Sequence, residues 1–189
     1  MTPAPAPPSD IVQVAPFTGF VPRFEELIAS SRRLDVYFIH SRRWRENHDA
    51  AIKAFLGRDG TSLAVFLPDL ENHELMYSLA RHFDDGPQIP AMVVDAYRYF
   101  ARLARDFGKP AELWLFGRYP TYSFYRFDDR AIVALYSNAA AKKDLPAFEV
   151  TTDGFLGEFL ATDIEDLKRE CRRREPEELE AVIDNAMGT

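Results

Sequence analysis

The sequence predicts one α/β domain built on a mixed β-sheet with helices on both faces. Three observations predict it. Short runs of β-branched and aromatic residues alternate with stretches of helical apolar spacing over the first two thirds of the chain. Three such runs then follow one another across short turns, which requires antiparallel pairing beside the parallel strands. The composition, 47% apolar and 13% aromatic over 189 residues, is enough to bury a real core.

Residues 1–16, which begin MTPAPAPPSD, are expected to form a disordered Pro/Ala-rich tail. Phe24, Leu27 and Ile28 after Pro22 predict a first helix to about Arg32, and LDVYFI (residues 34–39) reads as a buried strand. Ala51, Ile52, Phe55 and Leu56 mark a helix ending at Gly57, and SLAVFL (residues 62–67) the next strand, stopped by Pro68. Asp69 or Asn72 caps a helix with the stripe Leu75, Met76, Leu79, Ala80 and Phe83. A longer helix follows the DDGPQIP loop, with Val93, Ala96, Tyr97, Phe100, Leu103 and Phe107 facing inward, closed by Gly108 and Pro110.

Residues 112–116, 122–127 and 131–137 are three strands, the last two flanking a tight hairpin at Asp128-Asp129-Arg130. Pro146 precedes an expected edge strand at residues 148–151. Phe155, Phe159, Leu160, Ile164 and Leu167 predict an amphipathic helix with these residues inward. Residues 168–180 are a charged segment leading into a short terminal helix. The division is a tail at 1–16, an α/β domain at 17–170 and a charged helix or tail at 171–189. No internal repeat is visible.

The net charge of −7 argues against non-specific binding to nucleic acid or anionic membrane. Arg32, Arg33, Arg42, Arg43 and Arg45 nonetheless cluster around the first strand, either as a basic patch or as a solvated face. Cys171 is the single cysteine, so no intramolecular disulfide forms. With no signal-like segment and no apolar stretch near membrane length, the expected location is cytoplasmic.

Ligands in open α/β sheets gather beyond the carboxyl ends of strands. The first strand runs into His40-Ser41-Arg42-Arg43 and the second into Pro68-Asp69, so both clusters should share a rim. His40, Ser41, Arg42 and Asp69 form one candidate set for a hydrolase or nuclease, although neighbours on a strand point apart and His40–Ser41 is a poor base–nucleophile pair. A strand-end His bonded to loop backbone is the competing reading. His48, His73 and His82 fit no metal-ligand spacing, and no metal or cofactor is expected. Glu71 and Glu74 are read as complementing a helix dipole; Asp84 and Asp85 are further candidate acids.

The segment from Tyr122 to Asn138 resembles the catalytic stretch of the phospholipase D superfamily, H-x-K-x-x-x-x-D, six residues, then G-S. Asp129 matches the Asp and Ser137 the Ser; Tyr136 replaces the Gly, Tyr122 stands at the His position and Phe124 at the Lys position. The order of elements over residues 17–170 is similar to one half-domain of that superfamily, of the small bacterial type that has lost the motif. The resemblance implies a phosphodiesterase ancestry, in which a His attacks phosphorus and a Lys holds the phosphate. It also implies a homodimer that buries the site against a twin.

With those two positions changed, the expectation is a non-catalytic domain in regulation or antiviral defence. It would bind a nucleotide-like or other phosphate-bearing ligand, or a protein partner. The residues expected to bind are Arg42, Arg43, Tyr122, Phe124, Arg126, Asp129 and Ser137, with Tyr119, Tyr125, Tyr136, Phe127, Trp114, Arg118 and Arg130 as further lining. A pure assembly module docking through the segment after Lys168 is a third reading.

Overall fold

The computed structural model describes residues 10–83, 86–108, 111–137 and 144–188. The first nine residues of the expected tail, Asp84, Asp85 and Pro110 lie outside these. Eight strands form one sheet in the order β1-β7-β6-β5-β2-β3-β4-β8. The strands are β1 (Ile11–Pro16), β2 (Arg33–Tyr37), β3 (Ser62–Pro68), β4 (Ala111–Phe116), β5 (Tyr122–Phe127), β6 (Arg130–Leu135), β7 (Pro146–Thr151) and β8 (Arg172–Arg174). The helices are α1 (Val21–Ser30), α2 (Arg42–Leu56), α3 (His73–His82), α4 (Ile89–Phe107), α5 (Phe155–Glu170) and α6 (Leu179–Met187).

The sheet is mixed, as expected. β2, β3 and β4 run parallel, and every other pairing is antiparallel. Side-chain alternation sorts the strands into two faces. Leu34, Val36, Tyr125 and Phe127 face α1, α2 and α4, where Phe24 packs edge-on against Tyr125 and Phe127. Tyr37, Phe124 and Trp114 face α5, whose Leu160 and Ile164 are buried against the sheet. α3 and α6 pack on α4. Tyr97 of α4 reaches over the end of β3 and donates to the Pro68 carbonyl at 2.6 Å.

The caps follow local chemistry. Asn72, not Asp69, caps α3, accepting from the Leu75 N–H at 3.0 Å. Gly108 ends α4 in the left-handed region at φ 57°. Gly157 lies so close to the end of β7 that a Cβ there would sit 1.9 Å from the Thr151 carbonyl oxygen, so only glycine allows this approach.

Four expectations are corrected. Ile11–Pro16, assigned to the tail, pairs with β7 as β1, because its alternating apolar residues complete an otherwise open edge. β7, expected at an edge, therefore lies between β1 and β6. The charged segment after Lys168 contains β8, which pairs antiparallel with β4. Phe155 and Phe159, expected inward, are 85% and 59% exposed. The sheet is met instead by Leu160 and Ile164, with Leu156 and Leu167 partly buried, so the inward stripe is narrower than the apolar one.

The two halves of the sheet meet only at β2–β5. Asp128 sits in the β5–β6 turn at φ 51° and its carboxylate accepts from the N–H groups of Arg32 (3.0 Å) and Arg33 (2.8 Å) at the start of β2. Asp128→Ala is expected to cost about 2–3 kcal/mol in urea unfolding, from the lost acceptors and the left-handed backbone. Asp128→Gly should recover about 1 kcal/mol of that loss; equal losses for the two variants would exclude the turn contribution.

Candidate functional site

β2 ends at Tyr37, and the chain crosses Phe38, Ile39 and His40 before turning into α2 at Arg42. Ser41 makes that turn in a left-handed conformation, φ 43° and ψ 42°, which is strained for a residue with a Cβ. As the residue before α2 it does not cap the helix with its side chain. Its hydroxyl instead shares a 2.6 Å hydrogen bond with the Tyr125 hydroxyl of β5. Ser123 and Tyr136 line the same cleft, and the Tyr136 hydroxyl accepts from the Ile39 N–H at 3.3 Å. Burial pushes the Tyr125 phenol up to about 12, so it is a neutral hydrogen-bonding group and not a base.

These hydroxyls line a cleft of about 730 Å³ on the face that carries α1 and α2. Phe17, Val21, Phe83, Ile89 and Met92 line it, together with Trp44 and His48. Arg42, Arg43 and Asn47 stand along the α2 side. Arg42 is shared with Glu46 at 3.6 Å and Asp95 at 4.0 Å, while Arg43 is exposed with no ion-pair partner among the described residues. Thr18 closes the opposite side by a hydrogen bond to Asp144. His48 is buried with Nδ1 unpartnered among the described residues, and burial lowers its pKa, so the imidazole is neutral. The size and the mix of apolar wall with a few polar groups suit one small organic ligand.

The expected binding residues divide between this cleft and elsewhere. Arg42, Arg43 and Ser137 line it, as do His40 and Ser41. Tyr122, Phe124 and Arg126 alternate onto the opposite face, under α5. There the Tyr122 hydroxyl donates to Asp163, Phe124 is 1% exposed, and Arg126 donates to the Asp128 carbonyl at 2.9 Å. Burial and the Asp163 bond drive the Tyr122 phenol far above its ordinary pKa. Asp129 is exposed in the hairpin, at the far end of β6 from Ser137.

Nor is the set of His40, Ser41, Arg42 and Asp69 drawn together. β2 and β3 do share a rim, but Asp69 is buried and ion-paired with Arg172 of β8. It does not line the cleft. His40 is engaged locally: its Nδ1 accepts from the Arg42 N–H at 3.3 Å and its carbonyl from Arg45 Nε at 3.0 Å. The Arg cluster resolves into different roles, since Arg45 is 3% exposed and ion-paired with Asp95 at 2.7 Å. Among the described residues no three His, Cys, Asp or Glu side chains are placed to hold a metal ion. No helix among them is long and apolar enough to cross a membrane.

Sequence reasoning missed the Tyr125–Ser123–Tyr136 side of the cleft as a unit. The signal was the alternation in YSFYRF, which separates Ser123 and Tyr125 from Tyr122 and Phe124.

The fold is that of the phospholipase D family. No family model and no curated protein sequence matches the chain. Among solved structures, Nuc of Salmonella typhimurium, a phospholipase D family member, is similar at 15% identity and a TM-score of 0.52, over 86% of this chain and 97% of that one. Phosphatidylserine synthase of Haemophilus influenzae Rd KW20 is similar at 14% identity and a TM-score of 0.53, over 95% of this chain and 43% of that one. The archaeal chromatin protein TrmBL2 is similar at 11% identity and a TM-score of 0.55, over 88% of this chain. This chain spans about half the length of TrmBL2 (55%).

The strain at Ser41 is testable. Ser41→Gly relieves the left-handed backbone while Ser41→Ala does not, and both remove the bond to Tyr125. In urea unfolding, Ser41→Gly should be more stable than Ser41→Ala by about 1 kcal/mol.

Proposed function

We propose that this phospholipase D-like domain binds a small phosphate-bearing ligand in the cleft beside Ser41 without turning it over. The observation that carries the reading is the placement of Arg42 and Arg43 at the start of α2, on the edge of an otherwise largely apolar cleft. A helix start offers unpaired N–H groups and a favourable dipole for an anion, and arginine adds forked donors. Arg43 makes no ion pair among the described residues, so a phosphate there need not displace a carboxylate from it. The rings and aliphatic side chains of Phe17, Val21, Phe83 and Met92 then receive the uncharged body of the ligand, a nucleobase being the favoured one.

Two further observations support binding over chemistry. The positions at which the phospholipase D motif carries its nucleophile and phosphate clamp hold Tyr122, committed to Asp163, and the buried Phe124. Within the cleft, the Ser41 hydroxyl is bonded to a phenol that burial keeps neutral, so its hydrogen-bond partner is not a base that could activate it. A domain that holds a ligand without consuming it suits a regulatory role.

AMP and inorganic phosphate are the probes. Trp44 lies at the cleft and Trp114 on the other face, so Trp114→Phe leaves Trp44 as the single tryptophan reporter. AMP is expected to change Trp44 fluorescence and to raise the melting temperature by about 5 °C at ~100 Kd. Arg43→Ala should weaken AMP by about tenfold, as expected for a lost charge-assisted contact. Tyr122→Phe should leave it unchanged. Turnover of AMP or of bis(p-nitrophenyl) phosphate that survives rigorous purification and is lost in Ser41→Ala would sink the non-catalytic reading. No response to either probe would sink the binding one.

A further inference from the structure

Two buried ring nitrogens of α2 belong to residues that line the cleft, and neither nitrogen is paired. Trp44 is 2% exposed and His48 is 1% exposed. Among the described residues, neither Trp44 Nε1 nor His48 Nδ1 has a hydrogen-bond partner. The two residues are one helical turn apart, with ring centroids 5.7 Å from each other. Their other neighbours are aromatic. Phe24 lies 5.3 Å from His48, and Phe38 and Tyr125 lie 6.1 and 4.9 Å from Trp44. Phe24 and Phe38 have no polar side-chain atom to offer, and the Tyr125 hydroxyl is engaged with Ser41. A buried polar atom without a partner carries its full desolvation cost, and native interiors rarely keep one without a role.

The placement of the pair matches the anion site. Arg43 is in the first turn of α2, and about 7.5 Å of helix axis separates it from His48. Cationic donors therefore stand at the start of the helix, and unpaired ring nitrogens follow one to two turns on. The chemistry of the pair is specific. Burial keeps the His48 imidazole neutral, so it carries one N–H and one lone pair, and the Trp44 indole can only donate. A group that satisfies both rings has lone pairs and an N–H on its edge and apolar faces for the surrounding aromatics. A nitrogen heteroaromatic ring has all three. A hydrocarbon lacks the edge and a sugar lacks the faces.

We propose that His48 and Trp44 recognise the edge of a purine by hydrogen bonds from these ring nitrogens. This assigns the base-reading residues of the cleft; it rests on the cleft being a ligand site but not on the phosphate contact at Arg43. Both nitrogens are shielded in the ligand-free protein, so binding includes a turn of the two rings toward the cleft. The broad χ2 preference of His and Trp permits such a turn.

Adenosine, which has no phosphate, and ribose 5-phosphate, which has no base, test the two halves of the cleft separately by isothermal titration calorimetry. Adenosine is expected to bind the full chain. His48→Phe and Trp44→Phe should each weaken adenosine by at least about tenfold and leave ribose 5-phosphate unchanged. His48→Phe should not lower the melting temperature of the ligand-free protein, because the nitrogen it removes is unpaired there. The 1-, 3- and 7-deaza analogues of adenosine probe the same contacts from the ligand side and need no variant to fold. At least one of them should bind about tenfold more weakly than adenosine. Adenosine binding that is equal in both variants, or equal for all three deaza analogues, overturns the proposal. Binding of ribose 5-phosphate without adenosine overturns it and leaves the anion reading standing. Adenosine binding that depends on His48, with AMP insensitive to Arg43→Ala, supports it and removes the anion reading. No response to any of these ligands overturns both.

Discussion

Everything in this structure depends on the seam between β2 and β5. On one side of it lie the three parallel strands with their crossover helices; on the other lie the four strands of the antiparallel half. The antiparallel pairing of β5 with β2 could take another register, and a slip of one residue would turn every side chain to the wrong face. Asp128 removes the choice. Its left-handed turn and its carboxylate, bonded to the first two amides at the start of β2, tie the β5–β6 hairpin to one position. Tyr125 then faces Phe24 and Trp44 on the helical side, and Phe124 faces α5.

That register decides where chemistry can occur. The segment most like a catalytic motif splits across the sheet: Tyr122 and Phe124 fall under α5, while Ser123, Tyr125 and Tyr136 fall in the cleft. Each side is satisfied differently. Under α5 the polar groups are spent on one another, Tyr122 with Asp163 and Arg33 with Asp35. At the cleft the Tyr125 hydroxyl bonds a strained serine, and Arg43 is left without an ion pair among the described residues. The strained backbone at Ser41 lies at the cleft, where the packed strands and helices give it a rigid frame.

The edges of the sheet show a second division of labour. β8 carries charge and anchors Asp69 through Arg172, which withdraws that carboxylate from the rim it would otherwise share with Ser41. β1 carries none and is held to α5 by Asp10. One edge of the sheet is thus charged and the other uncharged, and the cleft lies at neither.

By itself the sequence determined the class of fold, the place of nearly every element and the family likeness, because periods of 2 and 3.6 and the turn residues are local signals. Gly57 and Gly108, the β2, β3 and β5–β6 runs, and the strand-end cluster of His40 to Arg43 were all legible in this way. β1 was not, since IVQVAP behind a Pro-rich stretch becomes a strand only when β7 offers it an edge. The exposure of Phe155 and Phe159 was not legible either, because an apolar stripe wider than its contact looks inward until the close approach at Gly157 sets the helix rotation. Tertiary structure alone decided that Asp69 leaves the rim for Arg172, that Asp129 and Ser137 lie at opposite ends of β6, and that the cleft belongs to Tyr125 and not to Tyr122. The physical reason is the same in each case: sequence spacing says which residues share a face, but only the pairing of distant strands says what that face meets.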